Sequence, residues 1–229
     1  MKKEVIVLSL GGSLIAKEEI DHKFIESFKK TIRKNYKKYK FVVICGGGAT
    51  ARKYIAELKK QKKPHKQISL AGIKATRMNA EFMTQIFGKE SNDTLPLSMK
   101  DVKDNLHKNK IVFCGALRYA DKETSDGTAA KLANFLKSNF INITNIDGLY
   151  SSNPKTNKSA KFIEKESWKD FEKRANKIKF SAGQHFVLDQ NASTIIRKHK
   201  ITTYIIGPDM KNLNALLNNK KFRGTTIYG

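Results

Sequence analysis

The chain is poor in cysteine and has no long apolar run. Its two cysteines, Cys45 and Cys114, each lie near the end of an apolar segment, where buried structural thiols are expected rather than a disulfide or a metal site. The five histidines show no metal-ligand spacing. No segment reaches the length of a membrane span, and residues 1–4 lead straight into a predicted strand, so we predict neither a membrane helix nor a signal peptide. We expect a cytoplasmic protein without structural metal.

Acidic residues are also scarce. Lysine and arginine number 45 against 21 aspartates and glutamates, which gives a formal net charge of +24. Such an excess is typical of nucleic-acid-binding proteins, but here the lysines are scattered, few aromatic residues lie between them, and no nucleic-acid-reading motif is present. The pattern favours a solvated, lysine-coated surface over a specific nucleic-acid role. No nucleic acid and no membrane is predicted as a partner, and the positive field would attract anionic substrates.

The sequence lacks both standard nucleotide fingerprints, the GxxxxGK[ST] loop and a strand-GxGxxG-helix segment. Two glycine-rich turns are present instead, residues 10–13 after the apolar run 5–8 and residues 46–48 after the run 41–45. Glycine lets backbone N–H groups approach an anion closely, and a following helix directs its positive end to the same place. The two turns therefore suggest a phosphate-binding backbone, with ordinary strand-end turns of an α/β domain as the alternative.

Strand and helix patterns alternate along the chain, which is long enough for one α/β domain. Strands are predicted at residues 5–8, 41–45, 111–114, 140–143, 202–206 and 225–228. Helices are predicted at residues 24–36, 51–58, 70–87, 127–136, 167–176, 190–199 and 210–217. Tyr54 and Met78 are placed on buried helical stripes, and Asp189 is predicted to cap the helix that follows it. The alternation favours a largely parallel sheet covered by helices on both faces.

Four segments in chain order carry a resemblance to a known family. They are Gly11-Gly12-Ser13, the GGGATAR run at 46–52, the GIKATRMNA run at 72–80, and the TNIDGLY run at 144–150 with Asn153-Pro154. Together they resemble the amino-acid kinase family, and within it the archaeal-type uridylate (UMP) kinases. The combination of GGGxxAR with TNxDGxY is fairly specific, whereas GGS alone is weak.

The resemblance implies an open three-layer αβα sandwich with a mainly parallel sheet. It implies a single domain over residues 1–229, with an acceptor-binding lobe at about 1–115 and an ATP-binding lobe at about 116–229. The implied reaction transfers the ATP γ-phosphoryl group to UMP to give UDP, in pyrimidine nucleotide biosynthesis, with Mg²⁺ accompanying ATP. A homo-oligomer, specifically a hexamer, is implied as well.

The resemblance also assigns the site residues. Catalytic positions are Arg52, Asp126 and Asp189. ATP-binding positions are Ser9, Gly11, Gly12, Ser13, Gly48, Arg52, Thr144, Asn145, Tyr150 and Asn153. UMP-binding positions are Gly47, Ser69, Thr124 and Ser125. No residue is assigned as a dedicated metal ligand, although the two aspartates would orient Mg²⁺ or nearby cations, and direct transfer between phosphates requires no nucleophilic side chain.

Three assignments have a structural alternative. Arg52, one turn into its helix, is placed where a planar guanidinium could bridge donor and acceptor charge, but it could also be a solvated surface arginine. Tyr150 could be a packed aromatic residue, and Asp189 could be only a helix cap. Asn153 stands where an aspartate is usual in the family.

The chain departs from the family pattern mainly around the acceptor. Ser9 stands where many members carry lysine, which leaves Lys17 or Arg118 as substitute cations. Ser69 replaces an aspartate that grips the ribose in the family, and the loop at 114–126 is longer than the family pattern and lacks its Pro-Gly. Phosphorylation of another small phosphate or carboxylate is therefore an alternative, as is a catalytically weak nucleotide-binding regulatory protein.

Overall fold

A computed structural model describes residues 3–119, 124–154, 156–177 and 188–229. In chain order its elements are β1 (Glu4–Leu10), α1 (Gly12–Ile15), α2 (His22–Lys34), β2 (Tyr39–Cys45), α3 (Gly48–Lys60), α4 (His65–Phe87), α5 (Met99–Lys108), β3 (Ile111–Cys114), α6 (Ser125–Leu136), β4 (Asn139–Ile143), β5 (Leu149–Tyr150), β6 (Phe162–Ile163), β7 (Lys165–Glu166), α7 (Trp168–Asn176), α8 (Gln190–Lys198), β8 (Thr203–Ile206), α9 (Met210–Leu217) and β9 (Thr225–Ile227). A 3₁₀ turn at Gly88–Glu90 follows α4.

Seven strands form one sheet in the order β3-β2-β1-β4-β8-β9-β7. The first five run parallel to one another, β9 is antiparallel to β8, and β7 is parallel to β9. The predicted, mainly parallel sheet is thus confirmed. The strands β5 and β6 form a separate antiparallel hairpin.

Helices cover both faces of the sheet and enclose a core on each. On one face Leu8 and Val43 join residues of α2, the later turns of α4, and α9. On the other face Val7 and Val42 join residues of α5, α6, α7 and α8. Because successive strand residues point to opposite faces, strands covered on both sides must be apolar throughout, which is why they could be predicted as continuous apolar runs. The three-layer αβα architecture is confirmed.

Several local predictions are corrected by the structure. Tyr54 and Met78 are 59% and 54% exposed, because α3 and the first half of α4 pack mainly on each other through a small separate cluster. The helix α4 begins at His65 rather than at residue 70, and α5 was not predicted. Both cysteines are buried free thiols, as expected.

The parallel strands bring the predicted turns together. The strands β1 and β2 are neighbours with Leu10 opposite Cys45, and β1 and β4 are neighbours with Leu10 opposite Ile143. The loops that follow these three strands therefore share the carboxyl edge of the sheet, where ligands bind in open α/β sheets. Among the described residues, no helix combines the length and the apolar character needed to cross a membrane.

Candidate active site

A cleft of about 1100 Å³ opens at the carboxyl edge of the sheet. It is lined by every residue that the sequence analysis assigned to catalysis, to ATP or to UMP. The loops after β1, β2 and β4 supply part of the lining, and the first turns of α3 and α6 and the long helix α4 supply much of the rest. The structure thus brings the predicted positions together in one place.

The two glycine turns are in direct contact. A Cβ atom on Gly12 would lie 2.3 Å from the carbonyl oxygen of Gly46 and from the amide nitrogen of Gly48, so any side chain at Gly12 would collide with backbone. Gly48 has φ +62°, a conformation that glycine adopts without strain. Gly47 caps α3 without a side-chain hydrogen bond, which leaves the first N–H groups of this 13-residue helix directed at the cleft. The geometry suits an anion.

The turn after β2 is held from behind by Asn79 of α4. The Asn79 side chain is buried and its Nδ2 donates to the carbonyl oxygen of Gly46 at 2.7 Å. A buried amide bonded to a turn carbonyl restricts the orientation of the neighbouring peptide groups. Sequence reasoning gave Asn79 no role, although it lies inside one of the four matching segments.

Arg52 lies in the first turns of α3 and lines the cleft, where it is half-buried. Among the described residues, its guanidinium has no hydrogen-bond or ion-pair partner. A planar cation next to two glycine turns is well placed to contact phosphate oxygens with two donors at once.

Two carboxylates at the N-terminal ends of different helices line the cleft. Asp126 lies in the first turn of α6, and its Oδ1 accepts from the Ser9 hydroxyl at 2.8 Å. Asp189 is 3% exposed and caps α8, accepting from the Ala192 amide at 2.6 Å, while Thr124 donates its hydroxyl to the other Asp189 oxygen. Asp189 is therefore both a helix cap and part of the cleft lining.

The electrostatics of this pair differ from those of a solvated aspartate. Loss of hydration and then repulsion from Asp189 raise the pKa of Asp126 to about 7, while the hydrogen bond from Ser9 acts in the opposite direction. Asp126 can therefore gain or lose a proton near neutral pH when the cleft holds no ligand.

One end of the cleft is formed by one face of α4 and by the loop after β3. His65 and Ser69 lie one helical turn apart on α4 and both line the cleft; sequence reasoning missed His65. Arg118 in the loop lines the cleft too, whereas residues 120–123 of the altered loop lie outside the described residues.

Thr76 and Arg77 of α4 fasten the start of this loop. The Ala116 amide donates to Thr76 Oγ1 at 2.9 Å, and the Arg77 guanidinium donates to the carbonyls of Ala116 at 3.1 Å and Leu117 at 2.6 Å. Gly115 is required here, since a Cβ would lie 2.5 Å from Thr76 Oγ1. The loop that carries Arg118 is thus attached to the helix that carries Ser69.

The opposite end of the cleft is lined by the loop after β4 and by the β5–β6 hairpin. Thr144, Asn145, Tyr150 and Asn153 line this end. The Tyr150 ring also packs edge-on against Phe162, with ring centroids 5.2 Å apart, so its two predicted roles are compatible.

Positive charge dominates the lining. Among the described residues the cleft is lined by five lysines and arginines, Lys17, Arg52, Arg118, Arg174 and Lys177, and by two acidic residues, Asp126 and Asp189. Arg174 and Lys177 were not predicted, because α7 shows only the pattern of a generic amphipathic helix. Arg174 is held by Glu166, with Nε at 2.9 Å and Nη2 at 2.6 Å from the same carboxylate oxygen. This excess of cations suits ligands with several negative charges.

The described residues include no group of three or more histidine, cysteine, aspartate or glutamate side chains arranged to hold a metal. Mg²⁺ is usually bound through one or two carboxylates together with substrate phosphates rather than by an all-protein cage. The oxygen donors of Asp126 and Asp189 fit a Mg²⁺ ion that arrives with a phosphorylated ligand.

Comparison with known proteins agrees with the fold. The model of the "Amino acid kinase family" matches residues 4–207. Uridylate kinase from Thermoplasma acidophilum is 31% identical over 226 residues, which cover 98% of this chain and 96% of that protein. Uridylate kinase from Archaeoglobus fulgidus is 33% identical over 223 residues, which cover 97% and 99%.

Solved structures show the same relationship. The crystal structure of uridylate kinase from Archaeoglobus fulgidus superimposes with a TM-score of 0.84 at 31% identity, and the match covers 97% of this chain and 99% of that one. UMP kinase from Ureaplasma parvum reaches a TM-score of 0.80 at 21% identity, a likeness of fold alone. A positively charged cleft that is lined by two touching glycine turns, at the carboxyl edge of an open αβα sandwich, defines a phosphate-binding α/β protein. The chain belongs to the amino acid kinase family.

Proposed function

We propose that this protein is a UMP kinase, which transfers the γ-phosphoryl group of ATP to the phosphate of UMP and releases UDP and ADP. The uridylate kinases of two archaea, each more than 30% identical over nearly the whole chain, support the assignment. The observation that carries it in the structure is the contact of Gly12 with Gly46 and Gly48. Because the two turns touch, anions bound at each would lie next to one another.

Direct transfer needs the two phosphates to approach against their mutual repulsion. The backbone N–H groups at the start of α3 and the Arg52 guanidinium would offset that repulsion at the point of transfer. Asp126 and Asp189 would hold the Mg²⁺ that accompanies ATP, which supplies further charge neutralisation between the phosphates. Catalysis then consists of positioning and electrostatic stabilisation, without a covalent enzyme intermediate.

The two nucleosides would lie toward opposite ends of the cleft, with their phosphates next to one another at the glycine turns. ATP would contact Ser9, Gly11, Gly12, Ser13, Gly48, Arg52, Thr144, Asn145, Tyr150 and Asn153. UMP would contact Gly47, Ser69, Thr124 and Ser125. The lobes at about 1–115 and about 116–229 would hold acceptor and donor respectively. Assembly into a homo-oligomer, a hexamer by resemblance, and a cytoplasmic location belong to the same proposal.

A coupled assay of ADP release tests the proposal directly. The purified protein with MgATP is offered UMP, CMP, isopentenyl phosphate and small carboxylates in parallel. We expect turnover with UMP and much less with the others. Turnover with another acceptor but none with UMP would contradict the assignment, and ATP binding without turnover would indicate a regulatory nucleotide-binding protein.

A different acceptor is the second candidate, favoured by one specific observation. Ser69 lines the acceptor end, where the family resemblance leads us to expect an aspartate, and it shares that end with Arg118. Ser69→Asp is expected to lower KM for UMP if the ribose lies against α4, because a carboxylate accepts hydrogen bonds from both ribose hydroxyls. The measurement is KM for UMP at saturating ATP, and an unchanged KM would place the sugar elsewhere.

A further inference from the structure

The hairpin of β5 and β6, which carries Tyr150, is too short to be stable without support from other elements. Each of its strands has two residues, joined by the register Leu149 opposite Ile163 and Tyr150 opposite Phe162. A hairpin of this size is unstable in water unless other elements support it. The orientation of Tyr150 at the cleft therefore depends on whatever packs against the outer side of the hairpin.

The segment at residues 223–225, which ends at the first residue of β9, supplies that support. The Thr225 hydroxyl accepts from the Leu149 amide at 2.7 Å and donates to the Ile163 carbonyl at 2.5 Å, so it bridges both strands. Gly148 lets the hairpin come close, since a Cβ there would lie 2.6 Å from Thr225 Oγ1 and 2.9 Å from the Phe162 ring.

Arg223 makes the second attachment through its side chain. Its guanidinium carbon lies 4.9 Å from the centroid of the Phe162 ring, and its Nε donates to Asp147 Oδ2 at 2.9 Å. The hydrogen bond to Asp147, followed by an interaction with the Tyr150 hydroxyl, raises the pKa of Arg223 above its ordinary value. Arg223 thus contacts Asp147, three residues before Tyr150, and Phe162, the residue opposite Tyr150 in the hairpin. Arg223 itself lies outside the lining of the cleft.

The backbone of Arg223 is fixed as well. Its amide donates to Asn212 Oδ1 at 2.8 Å, and its carbonyl accepts from Asn212 Nδ2 at 2.6 Å. This two-bond clamp to α9 anchors the side chain to the main body of the protein. A continuous chain of contacts therefore runs from α9 through Arg223 and Phe162 to Tyr150.

We propose that Arg223 is a positioning residue for the donor nucleotide, which fixes the Tyr150 ring at the cleft through Phe162 and Asp147. The proposal rests on the proposed function, because it takes the Tyr150 end of the cleft as the place where ATP binds. The Arg223–Asp147 ion pair is exposed, with 63% and 47% of the side chains accessible, so its contribution to global stability is small. The effect of the ion pair is on nucleotide binding, because a hairpin that is already ordered avoids the loss of conformational entropy that a mobile hairpin would undergo when the nucleotide binds.

Arg223→Ala tests this with two readouts, nucleotide affinity and steady-state kinetics. The dissociation constant of the non-hydrolysable analogue AMP-PNP with Mg²⁺ is measured by calorimetry, and KM for ATP, KM for UMP and kcat are measured by the coupled assay. We expect AMP-PNP affinity to fall and KM for ATP to rise by about two- to fivefold, the range of one exposed cation–π contact. KM for UMP, kcat and Tm should stay nearly unchanged.

Three further variants make the test specific. Arg223→Lys keeps a cation beside Asp147 and the ring and should recover most of the affinity. Phe162→Leu removes the ring between Arg223 and Tyr150 and should reproduce the loss. Arg33→Ala is the matched control, because it removes an arginine from another exposed ion pair, with Glu90, outside the cleft; it should leave AMP-PNP affinity unchanged.

Two results would overturn this inference and leave the proposed function intact. The first is a parent protein that binds AMP-PNP and phosphorylates UMP while Arg223→Ala matches it in both. The second is an Arg223→Ala variant that loses Tm and affinity for both substrates in parallel, which would mean a general structural role. A parent protein that neither binds AMP-PNP nor phosphorylates UMP would overturn the proposed function together with this inference.

Discussion

At the scale of single residues, the cleft combines a half-buried arginine, Arg52, with a backbone that is held in place by close contacts and hydrogen bonds. The contact between the glycine turns and the Asn79 hydrogen bond hold the peptide groups of these turns in place. The side chain of Arg52 projects from α3 into the lining of the cleft and is only half-buried. A residue in that position can be changed without disturbing the core. Its role in catalysis is therefore open to a clean test.

We expect Arg52→Ala to reduce kcat/KM for UMP by about 10²- to 10³-fold, because the variant loses a cation that stabilises charge developing between the phosphates. The measurement is the coupled assay together with Tm by circular dichroism. Lys53→Ala, the next residue on α3 and exposed, is the matched control and should retain parental kinetics. An Arg52→Ala enzyme as fast as the parent would remove Arg52 from the mechanism.

Asp126 predicts a pH dependence of stability in the ligand-free protein. Its pKa is about 7 in the folded state and near 3.8 in the unfolded chain. Between these two pH values the folded protein therefore keeps Asp126 protonated, whereas the unfolded chain has lost that proton. The contribution of Asp126 to the free energy of unfolding is fully present below the pKa of the unfolded chain, and it is lost as the pH rises through the pKa of the folded protein. The Asp126→Asn variant has no proton to lose at this position, so its stability does not fall in this way.

The Tm of Asp126→Asn should therefore rise relative to the parent between about pH 5 and about pH 8. Differential scanning calorimetry without nucleotide or Mg²⁺ measures the difference at each pH. Asp104→Asn, an exposed aspartate on α5 paired with Lys100, serves as the control and should show a constant offset. A pH-independent difference for Asp126→Asn as well would show that Asp126 ionises as a solvated carboxyl.

At the scale of elements, β1 and β2 and the turns that follow them form the unit on which the site is built. The Gly46 amide donates to the Leu10 carbonyl at 2.8 Å, and the Gly11 amide donates to the Ile143 carbonyl at 3.0 Å. The strand pairing thus continues into both turns. Their separation is set by backbone contact, and side chains have little part in it.

Gly12→Ala should lower the free energy of unfolding by roughly 3 kcal/mol or more, since its Cβ would lie 2.3 Å from backbone atoms that cannot rotate away. Gly11→Ala is the matched neighbour: its Cβ would approach the Ile143 carbonyl only to 3.2 Å, and a loss of about 1 kcal/mol or less is expected. Urea unfolding of both variants is the measurement. Equal losses would mean that the turns can separate without cost.

Long elements that are buried on both faces could be predicted from the sequence, whereas very short elements could not. The parallel strands were predicted because both of their faces are buried, which makes them apolar throughout. The strands β5, β6 and β7 have two residues each, too few for any periodicity to show. The helix α5 was missed even though Ser98 and Asp101 form a capping box at its start, a signal that was present in the sequence.

The site was predictable where a motif marks it and unpredictable elsewhere. The glycine turns and the TNIDGLY run pointed to residues that the structure places in one cleft. His65, Arg174 and Lys177 line the same cleft, but nothing in their local sequence distinguishes them from the many other basic residues of this chain. Their positions depend on how α4 and α7 pack, which local patterns do not encode.

At the scale of the whole molecule, a net charge of +24 surrounds a cleft that is itself mainly cationic. Such a field accelerates the encounter with anionic nucleotides and is screened by salt, with a Debye length of about 10 Å at 0.1 M. We expect kcat/KM for UMP to fall steadily as NaCl is raised, while kcat at saturating substrates changes little. Stopped-flow or steady-state rates over a salt series measure this, and a flat kcat/KM would show that encounter is not steered.

The order of strands in the sheet also bears on the route by which this protein matures on the ribosome. Within the described residues β7 pairs only with β9, which is made some sixty residues later and is inserted between β7 and β8. The strands β1 to β4 can pair with one another earlier in synthesis, whereas β7 must wait as an unpaired segment until β9 emerges. A pause in translation between β7 and β9 would therefore prolong an intermediate in which β7 has no partner strand.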